Sequence, residues 1–256
     1  MRQSLLSRCV SRAALWLLAS GFSLAVQAAD LTVSAASSLS AAFRELAPLF
    51  EAAHPGNRLL LNFGASGALL QQMAKGAPVD VYASADQLTM NLAQQQQLIV
   101  PAARRNFVSN ALVLVVPVAS VHTPRVLGDL AQPAYARIAI GLPASVPVGR
   151  YTQGVLENAG LWAAIQRKMI GAHNVRQALD YVARAEVDAG FVYATDAALM
   201  PDKVKVALAV PTATPILYPV APVAASGQPE LARKFVDFLM AAPAQAVLAK
   251  YGFGRP

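Results

Sequence analysis

The chain has 256 residues, 55% hydrophobic and 14% charged, with a formal net charge of +7 and one cysteine. That length permits one large domain or two ordinary ones with buried cores, and a single cysteine excludes a disulfide framework. No dense Lys/Arg run with interleaved aromatics accompanies the positive charge, which excludes a nucleic-acid-binding surface.

The first segment, "MRQSLLSRCVSRAALWLLASGFSLAVQAAD", carries Arg2, Arg8 and Arg12 ahead of an apolar run from Ala13 to Val26 and closes on Val26-Gln27-Ala28. This order predicts a secretory signal peptide over residues 1–28, cleaved after Ala28. The apolar run is shorter than the roughly 20 residues of a spanning helix. Cys9 precedes it, whereas a lipid-anchored cysteine would follow it, so Cys9 is not read as a lipidation site. Without the three leader arginines the net charge falls to +4, a weak field that helps attract a small anion.

From Leu31 onward, strand-like and helix-like stretches alternate, which predicts an α/β architecture with mostly parallel strands. "LTVSAAS" reads as a strand. Leu39, Ala42, Phe43, Leu46 and Phe50 then recur at helical spacing, although Pro48 within that helix predicts a kink. "RLLLNFG" is the next strand, "SGALLQQMAKGAP" a helix stopped at Gly76, "VDVYASA" a strand and "DQLTMNLAQQQQLI" a helix. "NALVLVVP" and "RIAIGLP" read as strands, followed by helices from about Gly149 to Asn158 and through "VRQALDYVARAE". "AGFVY", "VKVALAVP" and "ILYPVAPVA" read as strands, and two C-terminal helices split at Pro243. This pattern fits one wide sheet or two lobes equally well.

Common enzymatic motifs are absent. His54, His122 and His173 show no metal-ligand spacing, and no phosphate-cradling G-x-x-x-x-G-K-[ST] or G-x-G-x-x-G stretch occurs. The "GASGA" around Ser66 is not the G-x-S-x-G nucleophile elbow. What recurs is a strand ending in a small or polar turn that opens a helix, at Ser37-Ser38, Ser66-Gly67, Val148-Gly149 and Asn174-Val175. A helix start offers unpaired N–H groups and partial positive charge, an anion site without a cation. Each start is also accounted for by ordinary capping, and spacing does not decide whether the four converge.

Six motifs together resemble the periplasmic molybdate-binding proteins of ABC-type importers. They are "VSAASSLSAAF", "NFGASGALLQQM", "GAPVDVYASADQ", "VPVGRYTQGVLENAGLW", "NVRQALDYVARAEVDAGFVYATDA" and the closing "YGF", in the family's order. The resemblance implies a type II periplasmic binding protein fold, two α/β lobes joined by two crossover strands. It divides the chain into a first lobe of residues 29–109 plus 215–256 and a second of 110–214. It implies that Ser38 and Ser66 give hydroxyls, that Val148 and Val175 give backbone N–H groups, and that the Tyr193 hydroxyl completes the oxyanion site. Ser37 beside Ser38 leaves a one-residue ambiguity, and Val148 stands where the family often has alanine.

The implied protein is a periplasmic, monomeric solute-binding protein without a cofactor or catalytic residues. It would capture molybdate, or tungstate, and deliver it to a permease and ATPase pair. The chemistry agrees: molybdate is a dianion without a proton and calls for donors only, and none of the five positions is acidic. A phosphate binder needs an acceptor for the ligand's proton. The glycines of "FGASGALL" are expected to clear the oxyanion's approach to backbone N–H groups. The alternatives are a receptor for another tetrahedral oxyanion such as sulfate, and a secreted hydrolase with Ser66 or Ser38 as nucleophile.

Overall fold

The computed structural model describes residues 29–256; the expected leader and Cys9 lie outside the described residues. In β1 (Ala29–Ala36), Leu31, Val33 and Ala35 have no exposed surface, and Ser34 and Ala36 on the opposite face are buried too, as in a strand covered on both sides. β1 pairs in parallel with β2 (Asn57–Gly64). Between them, α1 (Ser40–Ala53) buries Ala42, Phe43, Leu46 and Phe50. Pro48 lies inside α1 without ending it. Pro48 and Arg44, whose carbonyl loses its helical partner to the proline, are both exposed, so the interruption falls on the outer face of the helix.

The chain continues through α2 (Ser66–Ala74), β3 (Val81–Ala83), α3 (Gln87–Gln95) and β4 (Arg105–Asn110). β3 is shorter than "VDVYASA" predicts. The second region holds β5 (Leu112–Pro117), β6 (Ile138–Gly141), α4 (Pro147–Asn158), α5 (Trp162–Gln166), β7 (Met169–Ala172) and α6 (Val175–Ala183). It closes with β8 (Ala189–Tyr193), α7 (Ala194–Ala197) and β9 (Val204–Val210). β10 (Ile216–Pro222), α8 (Pro229–Met240) and α9 (Ala242–Lys250) follow. α4 begins two residues before the expected Gly149, with Pro147 in its first turn, where a missing N–H costs nothing. The C-terminal break falls at Ala241, and Pro243 sits in the first turn of α9.

These strands form two five-stranded sheets, ordered β2-β1-β3-β10-β4 and β7-β6-β8-β5-β9. In each, one strand runs against the other four: β10 in the first sheet and β5 in the second. The mostly parallel expectation therefore holds, with one reversed strand per sheet. The chain passes between sheets twice, through Ala111 and through residues 211–215. This is the type II periplasmic binding protein architecture. β1, β2, β6, β7 and β8 all end where the sheets face each other, and each runs into a turn that starts a helix. Open α/β sheets place their ligand crevice at such carboxyl ends.

Candidate ligand-binding site

Ser38, Ser66, Val148, Val175 and Tyr193 line one cavity between the two sheets, together with Ser37. All five are at most 3% exposed. Ser38 belongs to a short 3-10 turn after β1, Ser66 opens α2, Val148 and Val175 lie in the first turns of α4 and α6, and Tyr193 ends β8. About 190 Å³ of empty space, open mouth included, lies among these residues. No lining residue carries a charge.

Ser66 Oγ accepts the Ala85 backbone N–H at 3.0 Å, while its carbonyl accepts Tyr82 Oη–H at 2.8 Å. Ser38 Oγ lies 3.0 Å from Tyr218 Oη, which in turn lies 3.2 Å from Asn110 Nδ2. Tyr193 Oη is buried with no hydrogen-bond partner. A buried hydroxyl left unpaired costs about 1–3 kcal/mol, and such a group calls for an explanation. Burial, the largest cause, holds the Tyr193 phenol well above its ordinary pKa, and the nearby Tyr218, Tyr151, Asp86 and Asp196 push it the same way. It is therefore a proton donor at every physiological pH.

Main-chain donors come from the second region. Val148 and Val175 lie in first turns, whose N–H groups have no carbonyl one turn earlier to bond. Asn174 caps α6 by accepting the Gln177 N–H at 3.1 Å, which leaves the Val175 N–H uncapped. α4 reaches its place because Gly149 packs directly on the Gly141 carbonyl, where a Cβ would overlap the oxygen. Gly67 corrects an expectation. Its N–H donates to the Ser145 carbonyl at 3.0 Å, and a Cβ there would lie 2.7 Å from that oxygen. The bare Cα of Gly67 admits the backbone of the facing region, not an anion.

Charged pairs surround the cavity without entering it. Arg150 of α4 grips Asp86 Oδ2 through Nε at 2.9 Å and Nη2 at 2.6 Å, and Nη2 also donates to Thr89 Oγ1 at 2.6 Å. Asp86 meanwhile caps α3 through the Thr89 N–H at 3.1 Å. Arg176 donates to the Ser38 carbonyl at 3.1 Å and sets Nε 2.8 Å from Asp196 Oδ1. That contact lies off the N–H direction, so attraction of charge carries it. Burial raises the Asp196 carboxyl to about 6, against the opposing pull of Arg176.

The hydrolase alternative needs a base beside a serine. His54 stacks on Phe50 at 4.3 Å, His122 lines a different cavity and His173 is exposed. None lines the cavity that holds Ser38 and Ser66. Among the described residues, no group of three or more His, Cys, Asp or Glu converges to hold a metal ion. Asn110, Tyr218, Asp86, Arg150, Arg176 and Asp196 escaped the sequence reading. "SADQ" and "YATDA" contain the two acids, but their partners lie 64 and 20 residues away.

Two α/β units, a donor-lined cavity between them and two connecting passages define a solute-binding protein of the periplasmic type. The match to bacterial extracellular solute-binding proteins spans residues 31–254, and the chain belongs to that family. The molybdate-binding protein of Haemophilus influenzae is 32% identical over 241 residues, covering 91% of this chain and 92% of its own. That of Escherichia coli is 33% identical over 229 residues, covering 87% and 88%. The solved periplasmic molybdate-binding protein of Azotobacter vinelandii superposes with a TM-score of 0.76 at 24% identity, covering 88% of this chain and 99% of its own.

Proposed function

We propose that this protein captures molybdate, and tungstate with it, between its two units and delivers it to the permease and ATPase of an ABC importer. The observation that carries the reading is the buried, unpartnered Tyr193 hydroxyl in a cavity where Ser66 Oγ already accepts the Ala85 N–H and Ser38 Oγ lies 3.0 Å from Tyr218 Oη. A fully deprotonated dianion supplies the acceptor these donors lack. First-turn N–H groups at Val148 and Val175 add neutral stabilisation of the charge. The molybdate-binding relatives support the choice of anion.

On this reading the leader directs export to the periplasm and is removed after Ala28. The protein works as a monomer without a cofactor and catalyses nothing. Donors from both units meet the ligand only when the units are together, so the ligand favours the closed arrangement. Calorimetric titration with molybdate, tungstate, sulfate and hydrogen phosphate tests the proposal. Tight binding of the first two over the last two is expected. Sulfate binding as tightly as molybdate would overturn the specificity, and no binding of any of them would overturn the function.

A further inference from the structure

We propose that Tyr218, oriented by Asn110, is a positioning residue that fixes Ser38 as a donor toward the cavity and so selects against oxyanions that carry a proton. The inference rests on the oxyanion reading above. The direction of the chain of bonds follows from its far end. Asn110 Oδ1 accepts the Ala111 backbone N–H at 2.9 Å, which sets the amide so that Nδ2 faces the other way. Nδ2 then donates to Thr195 Oγ1 at 2.9 Å and to Tyr218 Oη at 3.2 Å. An amide nitrogen only donates, so Tyr218 Oη accepts there. Its single proton is left for Ser38 Oγ, 3.0 Å away.

Ser38 Oγ therefore accepts from Tyr218, and its own proton is free for the cavity that Ser38 lines. Tyr218 has no exposed surface and Ser38 2%, so water does not compete for these positions. If the Ser38 hydroxyl turned to receive a proton from the ligand, its own proton would be left buried and unpaired. Ser66 reaches the same polarity by a route that side-chain substitution leaves in place, since its oxygen accepts a backbone N–H. The two serines thus donate for different reasons, and only the polarity of Ser38 depends on a replaceable hydroxyl. The Tyr218 ring packs edge-on against Tyr193 and Phe253 at 5.7 and 5.6 Å, packing that Tyr218→Phe keeps.

Sulfate and hydrogen phosphate separate the proton from size and charge, since both are tetrahedral dianions of similar dimensions and only the second carries a proton. Their apparent affinities are measured by displacement of molybdate near pH 8, for the wild type and Tyr218→Phe, with thermal melting of the ligand-free proteins as the check on folding. Tyr218→Phe is expected to weaken molybdate about tenfold and to narrow the preference for sulfate over hydrogen phosphate at least about fivefold. In a Ser38→Ala background, Tyr218→Phe is expected to leave that preference unchanged, because the hydroxyl it orients is gone. If Tyr218→Phe does not fold, Asn110→Ala, which frees the phenol to turn, is expected to narrow the preference in the same direction. A preference unchanged within twofold in the folded variant overturns the inference even if molybdate binding weakens. Wild-type protein that binds no molybdate overturns the functional reading instead.

Discussion

The first-sheet and second-sheet walls of the cavity supply donors made in different ways. From the first come Ser38 and Ser66, whose oxygens are occupied by Tyr218 and by the Ala85 N–H. The second brings Val148 and Val175 in the first turns of α4 and α6, with the buried, unpartnered hydroxyl of Tyr193. The first wall therefore depends on serine hydroxyls, and the second, Tyr193 apart, on where a backbone is held. A substitution should act differently on the two: on the first wall it is felt when it removes the hydroxyl, and at Val148 and Val175 only when it moves the backbone.

The largest effect is expected where backbone placement is tightest. Gly149→Ala puts a methyl group onto the Gly141 carbonyl, an overlap with main chain that no side-chain rotation relieves. Overpacking usually costs about 1–3 kcal/mol, and a backbone obstacle places this substitution at or above the upper end. Urea unfolding should show a midpoint shift of that size, together with lost anion binding as the Val148 turn moves. A near-neutral midpoint would show that the start of α4 is not positioned by this contact.

Asp196 gives the second wall a dependence on pH. Burial raises its carboxyl from 3.8 to about 6. Between those values the native state holds a proton that the unfolded state has released, so stability from this group falls as pH rises from about 4 to about 6. It is greatest below that window and flat above it. Roughly two units correspond to at most about 3 kcal/mol. Other carboxylates titrate nearby, so the measurement is a difference: unfolding free energy of the wild type minus that of Asp196→Asn, from pH 4 to 7. That difference should decline with pH; a rise would mean that Arg176 holds the carboxylate charged.

Ser66→Ala tests the first wall. It removes a hydroxyl expected to donate to a charged ligand and leaves the Ala85 N–H without its partner. A loss of about 1.5–3 kcal/mol in molybdate binding is expected, against less than about 1 kcal/mol for Val148→Ala or Val175→Ala, which keep the backbone N–H. Calorimetry on the three variants decides. Equal losses at serine and valines would erase the distinction between the walls.

The five cavity residues were legible only through the family resemblance, carried by the order of its motifs; periodicity and turn composition marked the helix starts near Ser38, Ser66, Val148 and Val175 without deciding that they converge, and no local pattern marked Tyr193. Arg105–Asn110 escaped because it begins with two polar residues and lacks strand alternation, and Met169–Ala172 because its four residues hold one β-branched side chain where the equally short Ile138–Gly141 holds two. Residues that act on other residues left no local trace. Asn110 and Tyr218 are 108 positions apart and meet only because β4 and β10 pair. Gly67 was misread for the same reason: the backbone that it admits, at Ser145, belongs to a distant segment.

A smaller loss than at Ser66 is expected at a contact that joins the two walls. Arg150 is two residues beyond Val148 and reaches across to Asp86, with side-chain exposures of 21% and 5%. Breaking a fully buried pair by removing one partner costs several kcal/mol. Here Asp86 keeps the Thr89 N–H as a partner and Arg150 is partly solvated, which lowers the expectation to about 1–2 kcal/mol. Arg150→Met should weaken the closed arrangement by that amount and leave the donors themselves intact. Because the contact forms only when the walls meet, the loss should fall on dissociation, about 5–30-fold faster, with association little changed. Stopped-flow kinetics separates the two rates. A slowed association with unchanged dissociation would mean that Arg150 steers the arriving anion, and that the other contacts between the walls, among them the Gly67 to Ser145 bond and the reach of Arg176 to the Ser38 carbonyl, hold them together.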